Sequence, residues 1–118
     1  MTMDHAAIRV SNLDDSLAFY RDVFGYEPVE RFEESDAVSD TFVGVDDQAV
    51  IQLVEADGPV EPSDGGHLGL SVEDVDAAVA ELPADRVTRG PETIEELDIR
   101  IAFVTDPDGH VLELLEPV

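Results

Sequence analysis

Four side chains of metal-ligand type recur as two pairs along a 118-residue chain. His5 and His67 lie 62 residues apart, and Gln52 and Glu113 lie 61 apart. Two imidazoles, a carboxylate and an amide oxygen form a mixed nitrogen and oxygen donor set. That set suits one divalent first-row ion, with Ni, Co, Zn, Mn and Fe all compatible. It leaves one or two positions for water or substrate, the mark of a catalytic rather than a structural site. An ion held there acts as a Lewis acid toward an enolate or enediolate oxygen while a base moves a proton. Glu113 is the member able to take that proton at neutral pH, because an amide does not titrate. Singly, each residue has a plainer reading: a hydrogen-bonded histidine, a polar residue on a half-exposed strand, a solvated acid among 29. Their recurrence at matching places sets them apart.

The recurrence extends along the chain, and it defines the elements that must position these residues. HAAIRVSNLDDSLAFY from His5 aligns with HLGLSVEDVDAAVAEL from His67. Thr41-Phe42-Val43 aligns with Ala102-Phe103-Val104, and Val50–Val54 with Val111–Leu115. Each half reads as a short alternating strand (5–10, 67–72) followed by a helix. Asn12 and Asp74 are the expected N-caps. Leu13, Leu17, Tyr20 and Phe24 form the apolar stripe of the first helix, and Gly25 supplies its left-handed stop. Val75, Ala78, Val79 and Leu82 form the stripe of the second, which Pro83 closes. Three strand-like runs follow each helix: 28–33, 39–45 and 49–55, then 86–90, 99–104 and 111–116. Asp46-Asp47 and Asp106-Pro107-Asp108-Gly109 are the turns before the last strand of each half. An acidic connector rich in Pro and Gly, Ala56–Gly66, joins the halves. The expected class is α+β, two tandem βαβββ modules (about 4–56 and 66–117) within one domain, 1–118.

Strand alternation separates the faces. Ala6, Ile8 and Val10 face the helix, which turns His5, Ala7 and Arg9 the other way. Leu68, Leu70 and Val72 likewise leave His67, Gly69 and Ser71 opposite. Ile51 and Leu53 bracket Gln52, and Leu112 and Leu114 bracket Glu113. All four ligand-type residues therefore take the face away from the helices. Ala7, Gly69 and Ser71 leave space beside them. Arg9 shares this face and reads as an anchor for an anionic substrate group, against the alternative of a salt bridge to a nearby acid. His110 belongs to a turn and is not part of the set.

Composition narrows the remaining classes. Aspartate and glutamate number 29 against six basic residues, all arginine, for a formal charge of −23. Such a surface repels phosphate backbones and anionic lipid, so neither nucleic acid nor membrane is an expected partner. The apolar share of 43% and the clear periodicity argue for a folded chain rather than acidic disorder. The charge suits a high-salt cytoplasm, where counterions screen it. With no cysteine, disulfides, thiol nucleophiles and thiolate metal sites are excluded. No long apolar run and no leader-like start are evident, so a cytoplasmic location is expected.

The stretches DHAAIRVSNLDDSLAFYRDVFGYE, AVIQLVE, GGHLGLSVEDVDA and IAFVTDPDGHVLELLE resemble the vicinal-oxygen-chelate superfamily. That superfamily includes glyoxalase I, methylmalonyl-CoA epimerase, extradiol dioxygenases and bleomycin-resistance proteins. The resemblance implies paired βαβββ modules curling into a cup-shaped mixed sheet, helices outside, in a homodimer. It places the metal ligands at His5, Gln52, His67 and Glu113. It implies a lactoylglutathione lyase-like isomerisation of a 2-oxoaldehyde–thiol hemithioacetal through a metal-held enediolate, with Glu113 as base and Arg9 gripping the thiol cofactor's carboxylate. Epimerase-like and dioxygenase-like enzymes, and a non-catalytic resistance-type binder, are the alternatives. The last lacks the metal set. An epimerase needs a second acid, for which Glu30, Glu33 and Glu34 are candidates. Two departures stand out: Gln52 replaces the glutamate common in small glyoxalases, and Ala56 replaces the asparagine that usually grips glutathione.

Overall fold

A computed structural model describes residues 3–35, 38–62 and 65–118, with the side chains of 30–40 outside the description. The chain divides into two compact units, Met1–Glu61 and Pro62–Val118. The first runs β1 (Ala6–Val10), α1 (Leu13–Phe24), β2 (Glu27–Ser35), β3 (Val38–Val45), β4 (Gln48–Ala56). The second runs β5 (Leu68–Ser71), α2 (Val75–Ala80), β6 (Val87–Ile94), β7 (Ile99–Thr105), β8 (Val111–Pro117). Each unit builds its own four-stranded mixed sheet, in the orders β1-β4-β3-β2 and β5-β8-β7-β6. The first strand pairs parallel with the last, and the other pairings are antiparallel. The class is α+β, as two copies of one module. None of the helices in the described residues is long and apolar enough to cross a membrane.

Local chemistry accounts for the element ends. The Asn12 carboxamide oxygen accepts from the Asp15 N–H at 3.0 Å, and the Asp74 carboxylate accepts from Ala77 N–H at 3.0 Å. Asp14 and Asp15, then Asp76, place negative charge at the positive helix starts. Gly25 ends α1 at φ 73°, donating its N–H to the Arg21 carbonyl. Asp46 and Asp47, at φ 54° and 61°, form the two-residue β3–β4 hairpin, the left-handed pair that matches strand twist. In the β7–β8 turn a buried Asp106 carboxylate accepts from the N–H groups of Asp108 and His110, each at 2.9 Å.

One long-range tie occurs in both units. Glu55 of β4 accepts from the Leu13 N–H at 2.6 Å, and Glu116 of β8 from the Val75 N–H at 2.8 Å. Each helix start is thereby pinned to the strand that carries Gln52 or Glu113. The buried face of α1 is Leu13, Ser16, Phe19, Tyr20 and Val23. It is rotated from the expected stripe, leaving Leu17 and Phe24 half-buried at its margin. Phe24 stacks between Tyr20 and Tyr26 at centroid distances of 5.9 and 5.4 Å, and burial pushes the Tyr26 phenol up.

The repeat also exposes an imperfection. Ser16 and Thr41 are buried, and among the described residues their hydroxyls have no hydrogen-bond partner. The matching positions of the second unit are Ala78 and Ala102, both buried. An unpaired buried hydroxyl costs free energy that an apolar group of similar shape does not. Thr41→Val and Ser16→Ala should each raise the unfolding free energy by about 1 kcal/mol. Urea titration checks this, and a loss of stability in both would contradict it.

Candidate active site

The site is built on the parallel strand pair of each unit, because that pair brings the two ligand-bearing strands side by side. In the first unit Ala7 pairs with Gln52, and Phe42 pairs with Gln52 from the other side. In the second, Gly69 and Phe103 flank Glu113 in the same way. His5 precedes Ala7 by two residues and His67 precedes Gly69 by two, so each histidine lies on its partner's face, diagonally placed. The burial pattern agrees. Val10, Ile51 and Leu53 are buried on the helix side, as are Leu70, Leu112 and Leu114, whereas Ala7, Arg9, Gly69 and Ser71 are exposed. At Gly69 a β-carbon would come within 3.1 Å of Leu115 Cδ1 and 3.9 Å of Glu113 Oε1. Its absence keeps room beside the carboxylate.

In the second unit His67 Nε2 stands 3.2 Å from Glu113 Oε1. Two donor atoms held at about 2.0–2.2 Å by one ion, at angles near square or tetrahedral, sit about 3.0–3.4 Å apart. The pair therefore has the spacing of two neighbouring ligands. Its side chains are 41% and 19% exposed, so Glu113 is partly desolvated yet reachable. In the first unit the Asp4 carboxylate lies 2.7 Å from His5 Nδ1. A carboxylate on one ring nitrogen fixes the tautomer and turns the other, Nε2, into the lone-pair donor, the usual arrangement of a metal-bound histidine. The residues thus fit a divalent ion by donor type in each unit.

The other expectations fall as follows. The Arg9 guanidinium donates to the Asp57 carbonyl at 3.4 Å, a contact with backbone. It is exposed. His110 sits in the β7–β8 turn, where its N–H and carbonyl both bond Asp106. The side chains of Glu30, Glu33 and Glu34 lie outside the described residues.

A second acidic group has a different role. Carboxylate oxygens of Asp74, Asp76 and Glu116 lie within 4.8 Å of one another. Each is already engaged: Asp74 caps α2, Glu116 holds the Val75 N–H, and Asp76 pairs with Arg100 at 2.7 and 2.9 Å. The Arg100 hydrogen bonds hold the Asp76 carboxyl below its ordinary range, and Asp76 raises Arg100 in turn. This cluster anchors a helix start.

Two residues of the site went unread in the sequence. Phe42 meets the His5 ring edge to face at 5.0 Å and 80°, and Phe103 meets His67 at 5.2 Å and 75°. The signal was present in the alignment of Thr41-Phe42-Val43 with Ala102-Phe103-Val104, which marked them only as strand.

Comparisons with known proteins bear on the family and the fold. A family model described as the Glyoxalase/Bleomycin resistance protein/Dioxygenase superfamily matches residues 2–114. A lactoylglutathione lyase of Salmonella typhimurium is 35% identical over 98% of this chain and 93% of its own length. A "probable lactoylglutathione lyase" of Vibrio cholerae is 33% identical over 95% and 88%. The crystal structure of a trypanothione-dependent glyoxalase I from Leishmania major superposes with a TM-score of 0.78 at 30% identity, covering 98% of this chain and 86% of that one.

Proposed function

Since the chain belongs to the Glyoxalase/Bleomycin resistance protein/Dioxygenase superfamily, we propose that it isomerises the hemithioacetal of a 2-oxoaldehyde and a thiol. It is an enzyme of the lyase kind, acting on a small molecule. The observation that carries the reading is the His67–Glu113 pair at 3.2 Å, matched in the first unit by His5 and Gln52 on one face. His5, Gln52, His67 and Glu113 are the residues proposed to hold one divalent ion, the two pairs coming from one chain or from two copies. The bound ion supplies Lewis acidity to the adjacent oxygens of the substrate. Glu113 takes the proton from the carbon that bears sulfur and returns it to the neighbouring carbon, while the hydroxyl proton passes from the one oxygen to the other, so the hydroxyl and carbonyl exchange places and no net proton is gained or lost. Gln52 ligates without competing for that proton. A homodimer and a cytoplasmic location belong to the same proposal.

The thiol need not be glutathione. Ala56 stands where a glutathione-gripping asparagine is usual, and the Leishmania major enzyme depends on trypanothione. Arg9 supplies one cation for an anionic group of whichever thiol is used. Elemental analysis of the purified protein, followed by assay with methylglyoxal and a panel of thiols, tests the proposal. The expected result is one divalent ion per site and thioester formation, with a thiol other than glutathione preferred by kcat/KM. Arg9→Gln should raise KM for the adduct several-fold while kcat holds. A metal-free protein that only binds drug-like ligands, or one that turns over methylmalonyl-CoA or catechols instead, would contradict the proposal.

A further inference from the structure

Resting on the metal reading above, we propose that Phe42 and Phe103 are positioning residues that fix the planes of the two histidine ligands. The two units supply independent copies of one arrangement. In each, a phenylalanine on the third strand is register-paired with the ligand of the fourth, Phe42 with Gln52 and Phe103 with Glu113. In each, the same ring stands edge-on to the histidine of the first strand, at 5.0 Å and 80° or 5.2 Å and 75°. The histidine and the phenylalanine are identical in the two units although residues beside them differ: Thr41 answers to Ala102, Ala7 to Gly69, and Gln52 to Glu113.

The physical need is clear from how exposed the imidazoles are. His67 is 41% exposed and His5 30%, so neither ring is locked by burial alone. An exposed side chain samples several rotamers, and ordering it costs conformational entropy when a ligand binds. An edge-to-face ring contact confines the imidazole before that event. The Arg89 guanidinium also lies over the Phe103 ring, 5.7 Å from its centroid. The result is a preorganised nitrogen donor on each unit. This role requires no contact of the phenylalanines with the ion or with the reacting carbons.

Titrating cobalt(II) into chelator-stripped protein, against a chromogenic competitor, tests this on wild type, Phe42→Leu, Phe103→Leu and the corresponding tyrosine variants. Leucine keeps apolar volume and removes the ring edge, whereas tyrosine keeps the ring. Each leucine variant should raise the cobalt Kd about three- to tenfold, and each tyrosine variant should stay within about twofold of wild type. The melting temperature of the stripped protein, read in parallel, reports packing separately and should not follow that order. If a leucine variant fails to fold, Phe→Met replaces it. Leucine variants that bind cobalt as wild type does, or tyrosine variants that lose as much as leucine, would overturn the positioning role alone. A wild type that binds no cobalt would overturn the metal reading together with it.

Discussion

Glu113→Gln lowers kcat by about 10²–10⁴ while the protein still takes up its metal. The expectation follows from what the substitution keeps and what it removes. An amide oxygen remains available as a ligand, the role proposed for the repeat-related Gln52. What disappears is the single group of the set that accepts a proton at neutral pH. The loss should therefore fall on kcat, with KM little changed, because the proposed role of the carboxylate is at the reacting carbon rather than in uniform binding. His5→Ala gives the opposite pattern. It removes a proposed nitrogen donor, the imidazole beside the Asp4 carboxylate, so metal affinity should fall first and activity should return as metal is added. Steady-state kinetics with measured metal content separates the two. Full turnover in Glu113→Gln would remove Glu113 from the role of base.

The second large effect is on stability. The melting temperature should climb by about 10 °C or more between low and molar KCl. At a formal charge of −23 the folded chain carries strong self-repulsion, and raising the salt to 1 M shortens the screening length from about 10 Å to about 3 Å. Internal pairing relieves little of it. Arginine ion pairs among the described residues include two between near neighbours, Arg21 with Asp22 and Arg89 with Glu92, and one across 24 residues, Arg100 with Asp76. Six arginines cannot balance 29 acids by any arrangement. Differential scanning calorimetry across a KCl series reads the effect. A flat response would dismiss the high-salt origin and leave the catalytic proposal as it stands.

The module was legible because its signals are local and occur twice. Asn12 and Asp74 cap the helices as their types dictate, and Gly25 takes the left-handed conformation that ends α1. The alternation Ile51-Gln52-Leu53 and Leu112-Glu113-Leu114 assigned the faces correctly, since a strand cannot bury both neighbours of a residue without presenting that residue opposite. The ends of β2 and β6 were less legible. Pro28 and Pro91 argue against strand, yet register shifts at Pro28/Glu30 and Arg89/Glu92 take up the irregularity and the strands run on to Ser35 and Ile94. The ties from Glu55 and Glu116 to the helix starts span about 40 residues, and no local pattern encodes them. The phenylalanines were hidden for another reason: on a strand an aromatic residue reads as ordinary sheet packing until the imidazole beside it is located.

The central claim is that His5, Gln52, His67 and Glu113 share one ion, and anomalous diffraction from crystals of the metal-loaded protein addresses it directly. The anomalous peak should lie within bonding distance, about 2.0–2.2 Å, of two imidazole nitrogens and the oxygens of Gln52 and Glu113. A peak at Asp74, Asp76 and Glu116 instead, or one touching only one of the two histidines, would contradict it.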